Sequence, residues 1–187
     1  MARRLMGKRQ IRVDGRRYRD DCSGLVVGAM RQVGLDVLSG GRRGENAVTT
    51  IFRYARRHGR IFKTGPPLPG DLVFFRETYD VNRDGRANDG LTHIGIVEDV
   101  EQDGTVLFIH RVKRGVVRYR MNLSKPNVRK DPETGRVLND YLRYTGLPGR
   151  DERLTGQLFA GYATLFPPDW PATYSSAPAP STSGAGR

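Results

Sequence analysis

A chain of 187 residues, 37% hydrophobic and 28% charged, is large enough for one packed domain and too apolar to be wholly disordered. Its single cysteine excludes an internal disulfide, and no apolar run approaches the roughly 20 residues needed to span a bilayer. The net charge of +12, carried mainly by arginine, draws polyanions and grips carboxylates, but by itself selects neither fold nor partner.

In chain order, residues 1–19 form a basic segment. It has the charge of an export signal's first part but lacks the apolar stretch that should follow, so no signal peptide is visible. Ile11 to Val13 reads as a short strand before a turn at Asp14-Gly15. Asp20 or Asp21 caps a helix from Cys22 to Val33, with Leu25, Ala29 and Val33 on one face and Gly34 as its stop. A second helix carries Val48, Ile51, Phe52 and Ala55 at helical spacing and closes at Gly59. His58, at its end, reads as a surface residue favoured by the helix dipole.

The period then shortens. Arg60 to Thr64 reads as a strand. The turn Pro66 to Asp71 launches the buried strand Leu72 to Phe75. After a polar loop from Glu77 to Gly90 come strands Thr92–Asp99 and Thr105–Arg111, joined by residues 101–104, and then Gly115–Met121. Residues 122–150 are polar and broken by Gly and Pro. Leu154 to Leu165 returns to the core as helix or strand, and a Ser/Ala/Pro/Gly tail, 171–187, is expected to be disordered. Helices followed by a meander of strands give an α+β architecture, with one domain over 20–170.

Cys22 stands at a helix N-terminus, where the positive end of the dipole favours thiolate. Two of the three histidines, His93 and His110, fall in strands. A lone cysteine with distant histidines is the arithmetic of a cysteine nucleophile, a general base and an orienting group. The register supports this pairing. If residues 101–104 form the loop, or a bulge intervenes, His110 lies opposite Gly95 and diagonal to His93, with Gly95 leaving room for the imidazole. Zinc on Cys22, His93 and His110 is the competing use, disfavoured because no paired ligand spacing is present.

Asp21-Cys22-Ser23-Gly24-Leu25-Val26, Pro69-Gly70-Asp71-Leu72-Val73-Phe74-Phe75, Thr92-His93-Ile94-Gly95-Ile96-Val97 and Phe108-Ile109-His110 occur in one order over residues 20 to 112. Together they resemble the NlpC-type cell-wall cysteine peptidases. The resemblance implies a papain-like α+β fold, with the Cys helix packed on an antiparallel sheet. It also implies hydrolysis of peptide bonds in peptidoglycan stems, through Cys22 as nucleophile, His93 as base and His110 as third polar residue. Ser23 and Tyr18 are the candidates for substrate contact. An extracytoplasmic location and a monomeric enzyme follow as expectations, with no cofactor required for catalysis.

The insertion Asp80 to Gly90 places oxygen-bearing residues at Asp80, Asn82 and Asp84 and glycine at 85, as in an EF-hand calcium loop. The Arg86 carbonyl and Asp89 complete the candidate ligand set, without the usual bidentate Glu. Two other functions stay open: acyl transfer or amidation on the same scaffold, and a non-enzymatic basic module for anionic polymer. Specific nucleic-acid binding is not expected, because no aromatic-basic interleaving or helix-turn-helix is present.

Overall fold

The computed structural model describes residues 1–143 and 153–166; the expected tail lies outside them. A short 3-10 turn, Ala2–Leu5, precedes a two-stranded ribbon of β1 (Arg12–Val13) and β2 (Arg16–Arg17). Helices α1 (Cys22–Gln32) and α2 (Ala47–His58) follow, then strands β3 (Arg60–Phe62), β4 (Leu72–Arg76), β5 (Leu91–Val100), β6 (Val106–Val112) and β7 (Gly115–Met121). A single helical turn, α3 (Thr155–Leu158), leads into β8 (Phe159–Thr164). The fold is α+β, as expected, with most strands within two residues of the expected bounds.

Strands β3 to β8 form one antiparallel sheet in the order β3-β8-β4-β5-β6-β7. The apolar segment after residue 153 thus returns as a strand between β3 and β4. Gly59, the α2 stop, is required there: a β-carbon on it would lie 2.1 Å from the Thr164 carbonyl oxygen.

Alternation along the strands divides the core between two faces. Leu72, Phe74, Ile94, Ile96 and Ala163 point one way and pack against Val26, Val27 and Met30 of α1 and Val48, Ile51 and Ala55 of α2. Val73, Phe75, Val97, Phe108, Tyr119 and Tyr162 point the other way, where Leu142 and Leu158 join them. The second face is closed by the polar segment that the sequence left unassigned. Its hub is the buried Asn139. The Asn139 side-chain oxygen accepts from the N–H of Asn122 (2.9 Å) and of Gly156 (3.1 Å), and its amide donates to the carbonyls of Lys125 (2.9 Å) and Val128 (2.8 Å).

Residues 1–19 pack on this body. Ile11 and Val13 are buried with Leu25, Ile109 and Val116, and the N–H of Gly7 donates to the Val116 carbonyl (2.8 Å). Arg3 and Arg118 both bind the buried carboxylate of Glu98.

Candidate active site

Helix α1 begins where Asp21 caps it. One Asp21 oxygen accepts from the Gly24 N–H (2.8 Å) and the Ser23 hydroxyl (2.7 Å), and the other binds Arg19 (2.7 Å). Burial works against ionisation of Asp21, but these bonds from Ser23, Gly24 and Arg19 hold its carboxyl below the usual range. Gly24 is sterically required, since a β-carbon there would meet the Arg19 carbonyl oxygen at 2.0 Å. Asp20 does different work: it accepts from the Ile11 N–H (2.8 Å) and from Arg17 (2.9 Å), tying the ribbon down beside the helix.

His93 and His110 lie on the second face of the sheet, among Phe75, Phe108 and Tyr119. Their rings meet edge-on, with Nε2 of His93 2.7 Å from Nδ1 of His110. The register that permits this is the expected one, reached by the second of the two expected routes, a bulge. Val100 pairs with Val106 and Ile96 with Ile109, and a bulge between Val97 and Asp99 absorbs the extra residue, so His110 falls opposite Gly95. Gly95 makes room for a different ring than expected, because a β-carbon there would lie 2.7 Å from the Phe108 ring.

Cys22 comes from the helix-covered side, where it packs against the first core. The β5–β6 ladder ends at Ile96–Ile109. The Val97 N–H bonds back to Asp71, on the β4 side, so alternation turns the Ile94 N–H toward the opening where β6 leaves β5. That N–H and the Ser23 N–H face the Cys22 sulfur. The sulfur is therefore held beside the backbone of the residue next to His93.

The expected thiolate is corrected by burial. Desolvation, joined by the Asp21 charge, outweighs the N–H groups and pushes the Cys22 thiol up to about 11. Burial lowers His93 to about 4, with Asp21 opposing, and lowers His110 well below its usual value. At neutral pH all three groups are uncharged.

Other expected site residues take different places. Ser23 is buried and its hydroxyl donates to Asp21, so it serves the cap. The ring of Tyr18 lies on the flank of α1 against Gly28, six residues beyond Cys22. His58 stacks on Tyr54 in the last turn of α2, beside Arg56 and Arg57. In the 80–90 loop, Gly85 takes φ +73 and donates to Asp80 (2.8 Å). Asp84 binds Asn82, Asn88 and the Arg86 N–H, and Asp89 accepts from Val81. The other oxygen of Asp80 is buried without a partner. Among the described residues no group of three or more His, Cys, Asp or Glu side chains is arranged to hold a metal ion.

Sequence reasoning missed Tyr79. It is 55% exposed and lies close enough to Cys22, Asp21 and Asp89 for their charges, after partial burial, to raise its phenol's pKa. Its only sequence signal is an aromatic in a polar loop.

The model of the CHAP domain family, the cysteine/histidine-dependent amidohydrolases and peptidases, matches residues 12–111, just over half of the chain. The protein belongs to the CHAP family. No curated protein matches it. Among solved structures, it is similar to the N-acetylmuramoyl-L-alanine amidase from Staphylococcus aureus. The identity is 23%, over 55% of this chain and 27% of that one, with a TM-score of 0.37. The chain thus spans about a quarter of that protein's length.

Proposed function

We propose that this protein is an extracytoplasmic hydrolase of peptidoglycan that cleaves an amide bond of the stem peptide through Cys22, His93 and His110. The observation that carries this is the buried 2.7 Å contact between the two imidazoles, beside the cysteine that opens α1. A cysteine helix laid on an antiparallel sheet also suits the papain-like arrangement that the sequence motifs imply.

The tautomer that leaves His93 a free base has its Nε2–H donating to Nδ1 of His110. The remaining His110 proton, on Nε2, has no hydrogen-bond partner, and the His110 ring packs on that of Tyr119 at 4.3 Å between centroids. The neutral pair makes proton transfer part of the attack. As sulfur bonds to the amide carbon, the thiol proton passes to His93. His93 then gives it to the departing amine, leaving an acyl-enzyme. Water adds to the acyl carbon, its proton going to His93, and the C–S bond breaks to restore the thiol. Asp21 takes the N–H groups of Gly24 and Leu25, which leaves those of Cys22 and Ser23, beside the sulfur, as donors for the oxyanion.

Incubation with purified peptidoglycan, followed by mass analysis of the fragments, tests the reaction. New termini at a stem-peptide amide support it, and intact fragments reject it. Cys22→Ala is expected to abolish cleavage while preserving the fold; retained cleavage eliminates the cysteine mechanism. Added amines appearing in the product would instead mark an acyltransferase.

A second role has its own observation. Arg12 sits directly opposite Arg17 in the exposed β1–β2 ribbon, with Arg16 alongside. Like charges across a strand pair cost stability, the Asp20 carboxylate offsets only Arg17, and a bound polyanion would relieve the remainder. Docking on an anionic wall polymer is expected to weaken steeply with salt and to persist in Cys22→Ala.

A further inference from the structure

The 77–90 loop leaves β4 at Glu77 and returns at β5, two residues before His93. Glu77 has φ +54, an unusual value for a residue with a β-carbon, and each of its polar groups is used. Its N–H donates to the Gly90 carbonyl (3.1 Å), and its carboxylate accepts from the N–H of Gly90 (2.7 Å) and Asp89 (3.3 Å). Its carbonyl accepts two bonds from one guanidinium, that of Arg143, with Nε at 2.7 Å. Arg143 is only 2% exposed.

The next residue repeats the anchoring. The Thr78 N–H donates to the Thr92 hydroxyl (2.8 Å), and the two buried hydroxyls meet at 2.9 Å. Tyr79 therefore emerges from a pair of fixed residues, one of them bound to the neighbour of His93. Arg143 itself lies beyond the segment matched by the family model, so a later part of the chain holds this loop in place.

We propose that Arg143 is a positioning residue whose two-pronged hold on the Glu77 carbonyl fixes the 77–90 loop, so that Tyr79 forms a substrate-contacting wall beside Cys22. This rests on the hydrolase reading above. A guanidinium suits the task because its planar fork gives one carbonyl two donors, where an ammonium would give a single flexible one.

Kinetics and amide exchange on the full chain test this together. Arg143→Met and Tyr79→Ala are each expected to raise KM for a peptidoglycan fragment about tenfold, with kcat changed by less than about twofold. The acid limb of the pH profile should not move, since His93 is held by its strand and by His110. The double variant is expected to be no worse than either single variant, because Arg143 acts through Tyr79. Arg143→Lys, which keeps one donor, should fall between wild type and Arg143→Met, and it serves if the methionine variant does not fold.

Additive effects, or a kcat loss with a shifted pH profile, would overturn the assignment. Exchange of the Asp89 and Gly90 amides gives a readout that needs no substrate. It should quicken in the Arg143 variants and not in Tyr79→Ala, and unchanged exchange refutes the clamp. If the wild type fails to cut peptidoglycan, the hydrolase reading falls, while the exchange measurement still decides whether Arg143 holds the loop.

Discussion

The two faces of the sheet are closed by different chemistry. On one, α1 and α2 lay aliphatic side chains over Leu72, Phe74, Ile94 and Ile96. On the other, much of the cover is a polar segment, organised by the hydrogen bonds of Asn139 and joined to the 77–90 loop by Arg143. The first solution is forgiving, since dispersion and burial depend on volume more than on direction. The second is exacting, because each buried donor and acceptor needs its partner in place. The candidate site draws on both: Cys22 from the helical side, His93 and His110 from the other.

Breaking the meeting point should have the largest effect. His93→Ala is expected to lower the hydrolysis rate by about 10²–10⁴-fold, measured on peptidoglycan fragments, with the fold preserved. Activity near wild type would separate His93 from the chemistry.

The polar face should be next. Asn139→Leu keeps the volume and removes five hydrogen bonds, and is expected to cost about 3 kcal/mol or more by denaturant unfolding. A loss under about 1 kcal/mol would mean that this face is held by its apolar residues after all.

Acid sharpens the same contrast. His93 is lowered to about 4 in the folded protein, whereas the unfolded chain takes up a proton near 6.5. Between those values the unfolded state binds more protons, so stability rises with pH through that window and is lost as pH falls through it. His93 alone accounts for about 3 kcal/mol, and His110 shifts in the same direction. Urea midpoints at pH 4.5 and 7 measure this. In a His93→Gln, His110→Gln variant the dependence should flatten, and an unchanged slope would place the acid sensitivity elsewhere.

The helical face should respond least to substitution. Ile51→Leu is expected to cost less than about 1.5 kcal/mol. The smallest effect is that of calcium on the 80–90 loop. The buried, unpartnered Asp80 oxygen is a ready acceptor, so millimolar calcium should raise Tm slightly, and an unmoved Tm leaves the loop to its own hydrogen bonds.

What the sequence made legible follows this division. Leu25, Val48, Ile51, Phe74 and Ile94 announce themselves by periodicity, which reports which side of an element is apolar. Cys22, His93 and His110 were legible through residue type and a two-residue period, though the bulge that secures their register carries no marker. Asn139 and Arg143 look like ordinary surface residues in a polar stretch. Their roles depend on partners 11 to 66 positions away, which no local pattern encodes. The neutral thiol was misjudged for a related reason: the dipole of α1 is local, while the burial that overrides it comes from the sheet.

The position of β8 has a consequence for biosynthesis. Strand β4 has one neighbour, β5, until residues 159–164 emerge and slide in on its other side. A ribosome-bound chain therefore carries an open, strongly hydrophobic edge at Leu72 to Phe75 until residues 159–164 are available. Until β8 pairs there, that edge is a template for aggregation and a natural client for chaperones.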